Sequence, residues 1–468
     1  MTDHSTHALI GAGVPLGHPE AVPSPVIRRA IAASALGNAT EWFDYGIYAY
    51  GVVYLSAALF PGEAAEATLF ALATFAISFL VRPLGGLFWG PLGDRYGRKT
   101  ILAFTIMLMS AATVCVGLIP SYDTIGIWAP ALLVLLRMIQ GFSTGGEYGG
   151  AATFMAEYSP DDRRGFYGSF LEFGTLAGFS FGALLMLGFS LLLGEQAMYD
   201  WAWRIPFFVA GPMGLIGMYL RSRMEDTPIF REIDARHEKE PAASTELRHL
   251  LTRHWRPLVT MGGLVIALNV VNYTLLSYMP TYLQRRLGLS ANDALIVPII
   301  GMLFMMVFVP LAGHLSDKVG RKPLWWVSLI GLFLGVVPLY LLMAGSFVGA
   351  VVGFALLGLL YVPQLATISA TFPAMFPTHV RFAGFAISYN VATSLFGGTA
   401  PAFNSWLIGE TGDELMPAYV MMVACVVGMI ALRFTPETAG KSLRGTQDPG
   451  RRSPTPGPSE TAAWMSRD

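Results

Sequence analysis

Ionisable side chains inside long apolar stretches are where this chain can do chemistry. One stretch carries Asn38, Glu41, Asp44, Tyr45 and Tyr48, whose spacings of three, four and seven put them on one helical face, with Trp42 nearby. Another carries Arg82; a third carries Arg137, Gln140, Glu147 and Tyr148 within one arc; a fourth carries Glu172 beside Phe173. Each charge costs roughly 2.5–3.5 kcal/mol to insert at the centre of a bilayer, so each needs a reason. Four carboxylates, Glu41, Asp44, Glu147 and Glu172, stand against two guanidinium groups, Arg82 and Arg137, so two carboxylates lack a cation. A carboxylate without a cation in a poor dielectric is driven toward its neutral form. Such groups bind protons reversibly or hold a cationic ligand. All four are candidates for proton coupling, the alternative being a solvated place at either mouth.

Arg137 is the best anion anchor, because a guanidinium stays charged when buried and forks onto a carboxylate. Its alternative is a structural ion pair with Glu147, Glu172 or Glu41. Arg82 lies about 18 Å of helix from Asp94, which puts it near mid-membrane. Trp42, Tyr45, Tyr48, Phe173, Tyr273 and Tyr389 can form an aromatic cage for a quaternary ammonium, or can simply pack. The second half of the chain offers uncharged polar groups in its apolar stretches: Asn269, Asn272, Tyr273, Tyr361, Gln364, Tyr389 and Asn390. Such a half can hydrogen-bond a ligand but cannot pair a second or third carboxylate. A zwitterion with one carboxylate therefore fits better than a tricarboxylate, and better, less firmly, than a dicarboxylate.

The elements that hold these groups follow from composition. The chain has 468 residues, 54% hydrophobic and 13% charged, with a mean hydropathy of +0.53. A soluble domain carries about 25% charged residues. Apolar stretches fall at 28–54, 68–92, 100–119, 126–156, 165–193, 204–221, 257–284, 293–316, 322–343, 347–372, 381–408 and 415–433. Most approach or exceed the roughly 20 residues that span a bilayer. The reading is an all-α membrane protein with about twelve spanning helices. The expected division is a tail (1–27), a six-helix bundle (28–221), a central loop (222–256), a second six-helix bundle (257–433) and a largely disordered tail (434–468). Most of the thirty Lys and Arg fall in alternate loops, which places both termini in the cytoplasm. Cys115 and Cys425 make neither a disulfide framework nor a metal site. No basic tract points to nucleic acid, and no signal-peptide pattern precedes the first span.

Gly90-Pro91-Leu92-Gly93-Asp94-Arg95-Tyr96-Gly97-Arg98-Lys99 is echoed half a chain later by Gly313-His314-Leu315-Ser316-Asp317-Lys318-Val319-Gly320-Arg321-Lys322. Pro160 and Arg164 recur as Pro377 and Arg381, and Glu225-Asp226-Thr227-Pro228 is loosely echoed by Pro436-Glu437-Thr438. A duplicated basic turn in a hydrophobic chain points to a two-fold membrane transporter. The turns are candidate gates on the cytoplasmic side, built from Asp94, Arg95, Gly97, Arg98, Asp317, Gly320 and Arg321. Each Asp can accept from a facing helix N-terminus and pair with a base, and each Gly allows a tight turn.

These motifs resemble the major facilitator superfamily, whose signature loop is Gly-x-x-x-Asp-Arg-x-Gly-Arg-Lys; Arg137-x-x-Gln140-Gly141-x-x-x-Gly145 is similar to its fourth-helix motif. Gly37-Asn38-Ala39-Thr40-Glu41-Trp42-Phe43-Asp44, Phe79-Leu80-Val81-Arg82-Pro83-Leu84-Gly85-Gly86 and the Gln140–Tyr148 stretch resemble the metabolite:proton symporter branch. Within it, 117–128 and 372–379 resemble the proline/betaine transporters. The C-terminal coiled coil associated with those proteins has no heptads to match it here.

The resemblance implies two six-helix bundles around a central cavity, alternating access, and proton symport of a compatible solute such as proline or glycine betaine. The alternative substrate is a dicarboxylate or other organic acid such as α-ketoglutarate, shikimate or citrate. No cofactor or metal is expected beyond the coupling proton, and the chain is expected to work as a monomer in the inner membrane. A membrane receptor should carry a sizeable output domain, and an enzyme a nucleophile, metal or cofactor motif; the sequence offers neither.

Overall fold

The computed structural model describes residues 24–96, 98–145, 147–222, 252–377, 380–441 and 443. Residues 1–23 and 444–468 of the expected tails, Gly97 and most of the central loop lie outside the described residues, as do the side chains of Asp94, Arg95, Arg98 and Glu147.

Every described element is helical. Twelve long segments follow one another: α1 Ser24–Leu59, α2 Ala64–Tyr96, α3 Arg98–Leu118, α4 128–158 with a break at 144–146, α5 Arg164–Leu193, α6 Ile205–Ser222, α7 Trp255–Arg285, α8 Ala291–Val319, α9 Arg321–Gly345, α10 Phe347–Thr371, α11 381–411 and α12 Met416–Phe434. Local chemistry sets several ends. Ser290 and Ser346 cap α8 and α10 by accepting from the N–H groups of Asp293 and Gly349. Gly320, at φ +99°, makes the turn from α8 into α9.

Among the described residues, seven segments are long and apolar enough to cross a membrane by length and composition: α2, α5, α7, α8, α9, α10 and α12. Segment α4 falls short because its break leaves helical pieces of 16 and 12 residues, and α1 carries Arg28, Arg29, Glu41 and Asp44. Leu87, Leu192, Leu334 and Val423 are exposed, as a lipid-facing surface requires.

Helix α1 packs on α5, α2 on α4, and α3 on α4 and α6; α7 packs on α11 and α12, α8 on α10, and α9 on α10 and α12. Between the halves, α5 lies along α8 and α2 crosses α11. Small residues permit the closest approaches. A Cβ built on Gly174 or Gly178 would lie 2.3 Å from a carbonyl of α1, Ala35 or Ala39. Backbone contact there brings Glu172 to the level of Asn38.

Helices α7 and α11 each contain a π turn, at 273–278 and 393–397. These turns face each other: Asn269 donates to Thr393 Oγ1 at 2.8 Å, and Gly397 lies against the Tyr273 ring. Such turns aim side chains inward at the expense of regular bonding.

The described start of the last tail packs rather than trailing free: Thr435, Thr438 and Leu443 are buried.

Candidate functional site

Helix α1 divides its polar face among three partners. Asn38 and Trp42 turn toward α5, Glu41 and Tyr45 toward α2, and Asp44 toward α3. Arg82 Nη2 donates to Glu41 Oε1 and to Tyr45 Oη, both at 2.9 Å, and its Nε donates to Thr144 Oγ1 at 3.0 Å. The Glu41–Arg82 pair is almost fully buried, with Arg82 also over the rings of Phe79 and Tyr45. Glu41 therefore pairs with Arg82, leaving Arg137 elsewhere.

Arg137 has no carboxylate at ion-pair distance among the described residues. Its Nη1 donates to Gln140 Oε1 at 2.8 Å and its Nη2 to Ser78 Oγ at 3.3 Å, and the guanidinium sits 4.1 Å from the centre of the Tyr48 ring. Gln140 Nε2 donates to Thr113 Oγ1 at 2.6 Å, and Thr113 donates to Asp44 Oδ2 at 3.0 Å. Asp44 and Arg137 are thus joined through two uncharged side chains. Gln140, expected to meet the solute, lies inside this chain instead. Beside Glu41 and Asp44 is a small cavity whose lining includes Thr40 and Ser110.

Glu172 accepts a hydrogen bond from Tyr148 and has no cation at ion-pair distance among the described residues. Tyr148 stacks on Tyr389 with centroids 4.5 Å apart. Trp42 lies T-shaped to Tyr148 and tilted against Tyr273, with ring centroids 6.4 and 6.1 Å apart. Asn38 holds Trp42 Nε1 and itself donates to Leu171 O and Thr175 Oγ1 on α5. From the second half, Tyr361 donates to Asn272 Oδ1 at 3.1 Å.

Of the expected cage, Trp42, Tyr273 and Tyr389 come together. Tyr45 and Tyr48 instead line the arginines, and Phe173 does not join: it is only partly buried and packs on Phe170. Phe173 follows Glu172 by one residue, about 100° around the helix, so the two cannot face the same neighbours. Thr113, Thr144 and Ser78 were not singled out from the sequence. A hydroxyl in a span ordinarily bonds its own preceding turn, so nothing marked these as cross-helix groups.

At the end carrying the second basic turn, Asp317 accepts from the backbone N–H groups of Gly165 and Phe166 at 2.8 Å and from Arg321 at 2.7 Å. A carboxylate of α8 thereby caps the N-terminus of α5 across the two halves. Glu437 does the same for α9, accepting from the N–H groups of Arg321 and Lys322 at 3.0 Å. Arg164 donates to Lys441 O and Arg381 to Leu443 O, so both halves hold the segment after α12. At the opposite end, Tyr50 of α1 donates to Leu276 O of α7 at 2.9 Å. The halves are bridged on both sides of the ring cluster.

A family model described as Major Facilitator Superfamily matches residues 35–399. The chain is 45% identical over 427 residues to the glycine betaine/proline/ectoine/pipecolic acid transporter OusA of Dickeya dadantii strain 3937, covering 90% of this chain and 85% of that one. It is equally similar, with the same coverage, to the proline/betaine transporter of Escherichia coli strain K12. Among solved structures, the proton:xylose symporter XylE, bound to 6-bromo-6-deoxy-D-glucose, superposes with a TM-score of 0.70 at 21% identity, covering 90% of this chain and 98% of that one.

Proposed function

The chain belongs to the major facilitator superfamily as a transporter rather than an enzyme, and we propose that it carries a small zwitterionic compatible solute such as proline or glycine betaine into the cell together with protons. The observation that carries this reading is a pairing of opposites around one ring cluster. Arg82 is neutralised by Glu41, while Glu172 has no cation among the described residues and is flanked by Tyr148 and its stacked partner Tyr389. A positively charged head fits beside Glu172 and against the faces of Trp42, Tyr148 and Tyr389.

The carboxylate of the solute fits Arg82 once Glu41 is neutral. A proton taken from the entry side binds Glu41, the ion pair with Arg82 opens, and the freed guanidinium accepts the solute carboxylate in its place. No charge is then left uncompensated, so loading with proton and solute together costs less than loading with either alone. Asp44, linked to Arg137, is a second coupling group, and Glu147 remains a candidate. Asn272, Tyr273 and Tyr389 contribute the second half's contacts.

The occluded arrangement is one stage of alternating access. Asp317, Gly320 and Arg321 act at the cytoplasmic gate, with both termini on that side of the inner membrane. The test is uptake of labelled proline, glycine betaine and α-ketoglutarate into proteoliposomes under an imposed pH gradient. Zwitterion uptake that needs the gradient supports the proposal; uptake of the diacid alone overturns it.

A further inference from the structure

Thr113 of α3 occupies an unusual place among the buried hydroxyls. Its one hydrogen has two acceptors at the same distance: Asp44 Oδ2 on α1 and Met109 O on its own helix, both at 3.0 Å. Its oxygen also accepts from Gln140 Nε2 at 2.6 Å, and Gln140 Oε1 accepts from Arg137. The direction of this chain is forced. A guanidinium can only donate, so Gln140 must turn its oxygen to Arg137 and its amide to Thr113. The hydroxyl must then point its hydrogen away from Gln140. Asp44, Thr113, Gln140 and Arg137 are all almost fully buried.

We infer that Thr113 is a positioning residue for proton coupling, its hydroxyl turning from Asp44 to Met109 when Asp44 takes up a proton. With Asp44 ionised, the hydroxyl donates to the carboxylate. With Asp44 neutral, the carboxyl O–H donates to Thr113 Oγ1 and the hydroxyl hydrogen turns to Met109 O. The arriving proton forms one O–H bond on Asp44; at Thr113 only a rotation occurs and no covalent bond breaks. The oxygen keeps its bond from Gln140 in both states, so α1, α3 and α4 stay joined while the charge changes. The small cavity beside Glu41 and Asp44, bordered by Thr40, Met109 and Ser110, gives the proton an approach. Among the described residues, the charged and titratable groups near Asp44 include Glu41 and Tyr45 on its own helix and Arg137 on α4; α3 presents the hydroxyls of Ser110 and Thr113, and α6 packs its Gly217 against Thr40.

This rests on the coupling role proposed for Asp44, and the two are separable. The measurement is gradient-driven proline uptake in proteoliposomes across pH 5–9, with counterflow at equal pH as the control for a folded carrier. Thr113→Val removes the donor to ionised Asp44, so the alkaline limb of the profile should move up by about one pH unit. Thr113→Ser keeps the hydroxyl and should restore the limb. Asp44→Asn should abolish accumulation, and Thr113→Val should change nothing further in that background. If Asp44→Asn accumulates proline with the unaltered pH profile, the coupling role of Asp44 falls. If Asp44→Asn fails to accumulate but Thr113→Val keeps the unaltered limb, or shifts counterflow equally in the Asp44→Asn background, the role of Thr113 falls. Should Thr113→Val not insert, Thr113→Ala carries the same two outcomes.

Discussion

Arg82 and Glu41 form a buried ion pair at 2.9 Å between α2 and α1. The pair is joined by Tyr45 and Thr144, so the guanidinium of α2 is held by two further helices, α1 and α4. Opening one partner of such a pair leaves a charge in a poor dielectric, a cost of about 3–5 kcal/mol. On the proposed mechanism, loading must therefore replace Glu41 rather than merely remove it.

Glu41→Gln should abolish accumulation driven by a pH gradient while exchange at equal pH survives, because a permanently neutral side chain mimics the loaded state. Arg82→Ala should lose both. Uptake by Glu41→Gln at the unaltered gradient dependence would remove Glu41 from coupling.

Glu172→Gln should weaken apparent affinity for glycine betaine by about tenfold to a hundredfold, the range expected for losing a charge-assisted contact. Trp42→Ala should weaken it by a smaller factor, as an isolated cation–π contact contributes about 0.5–2 kcal/mol. An unchanged KM in Glu172→Gln would place the ammonium elsewhere.

Gly165→Ala should open the basic end. Its Cβ would lie 2.2 Å from Ser316 Oγ and 2.5 Å from Gly313 O, so α5 and α8 must separate and the cap from Asp317 must lengthen. A cysteine at Ser369, now buried, should then react faster with an impermeant thiol reagent added from that end. Equal reactivity in both proteins would argue against this gate.

Glu437 predicts a pH dependence. Burial alone raises its carboxyl, but backbone N–H groups of Ala439, Arg321, Lys322 and Thr438 outweigh that and hold it below the usual carboxylate range. A group depressed in the folded state stabilises above its unfolded value, near 4.3, and loses that contribution as pH falls through the folded value. A spin label at Lys441→Cys should stay immobilised from pH 7 to about pH 5 and gain mobility only below the ordinary glutamate value, near 4.3. Release between pH 5 and pH 7 would show that another group holds the segment.

Asp317 illustrates what could be read without coordinates. Its place in a repeated basic turn marked it as a group that accepts from a helix N-terminus, and the geometry at Gly165 and Phe166 has that form. Spans were legible for the same reason: a bilayer imposes length and apolarity on every crossing, and both are linear properties of the chain. The surplus of acid over base was legible by counting.

Partner choice was not. Glu41 pairs with Arg82, Arg137 faces rings and Gln140, and Phe173 points away from the residue beside it. Each outcome depends on how far a helix is rotated about its axis and how closely glycines let its neighbour approach, and neither is written in spacing along one helix. The order of residues determined a two-fold, twelve-helix transporter with an acidic first half. The packing of α1 against α2, α3 and α5 decided which of those acids is paired, which is tied to Thr113 and which is left without a described cation, because a hydrogen bond forms over 3 Å of space and is indifferent to distance along the chain.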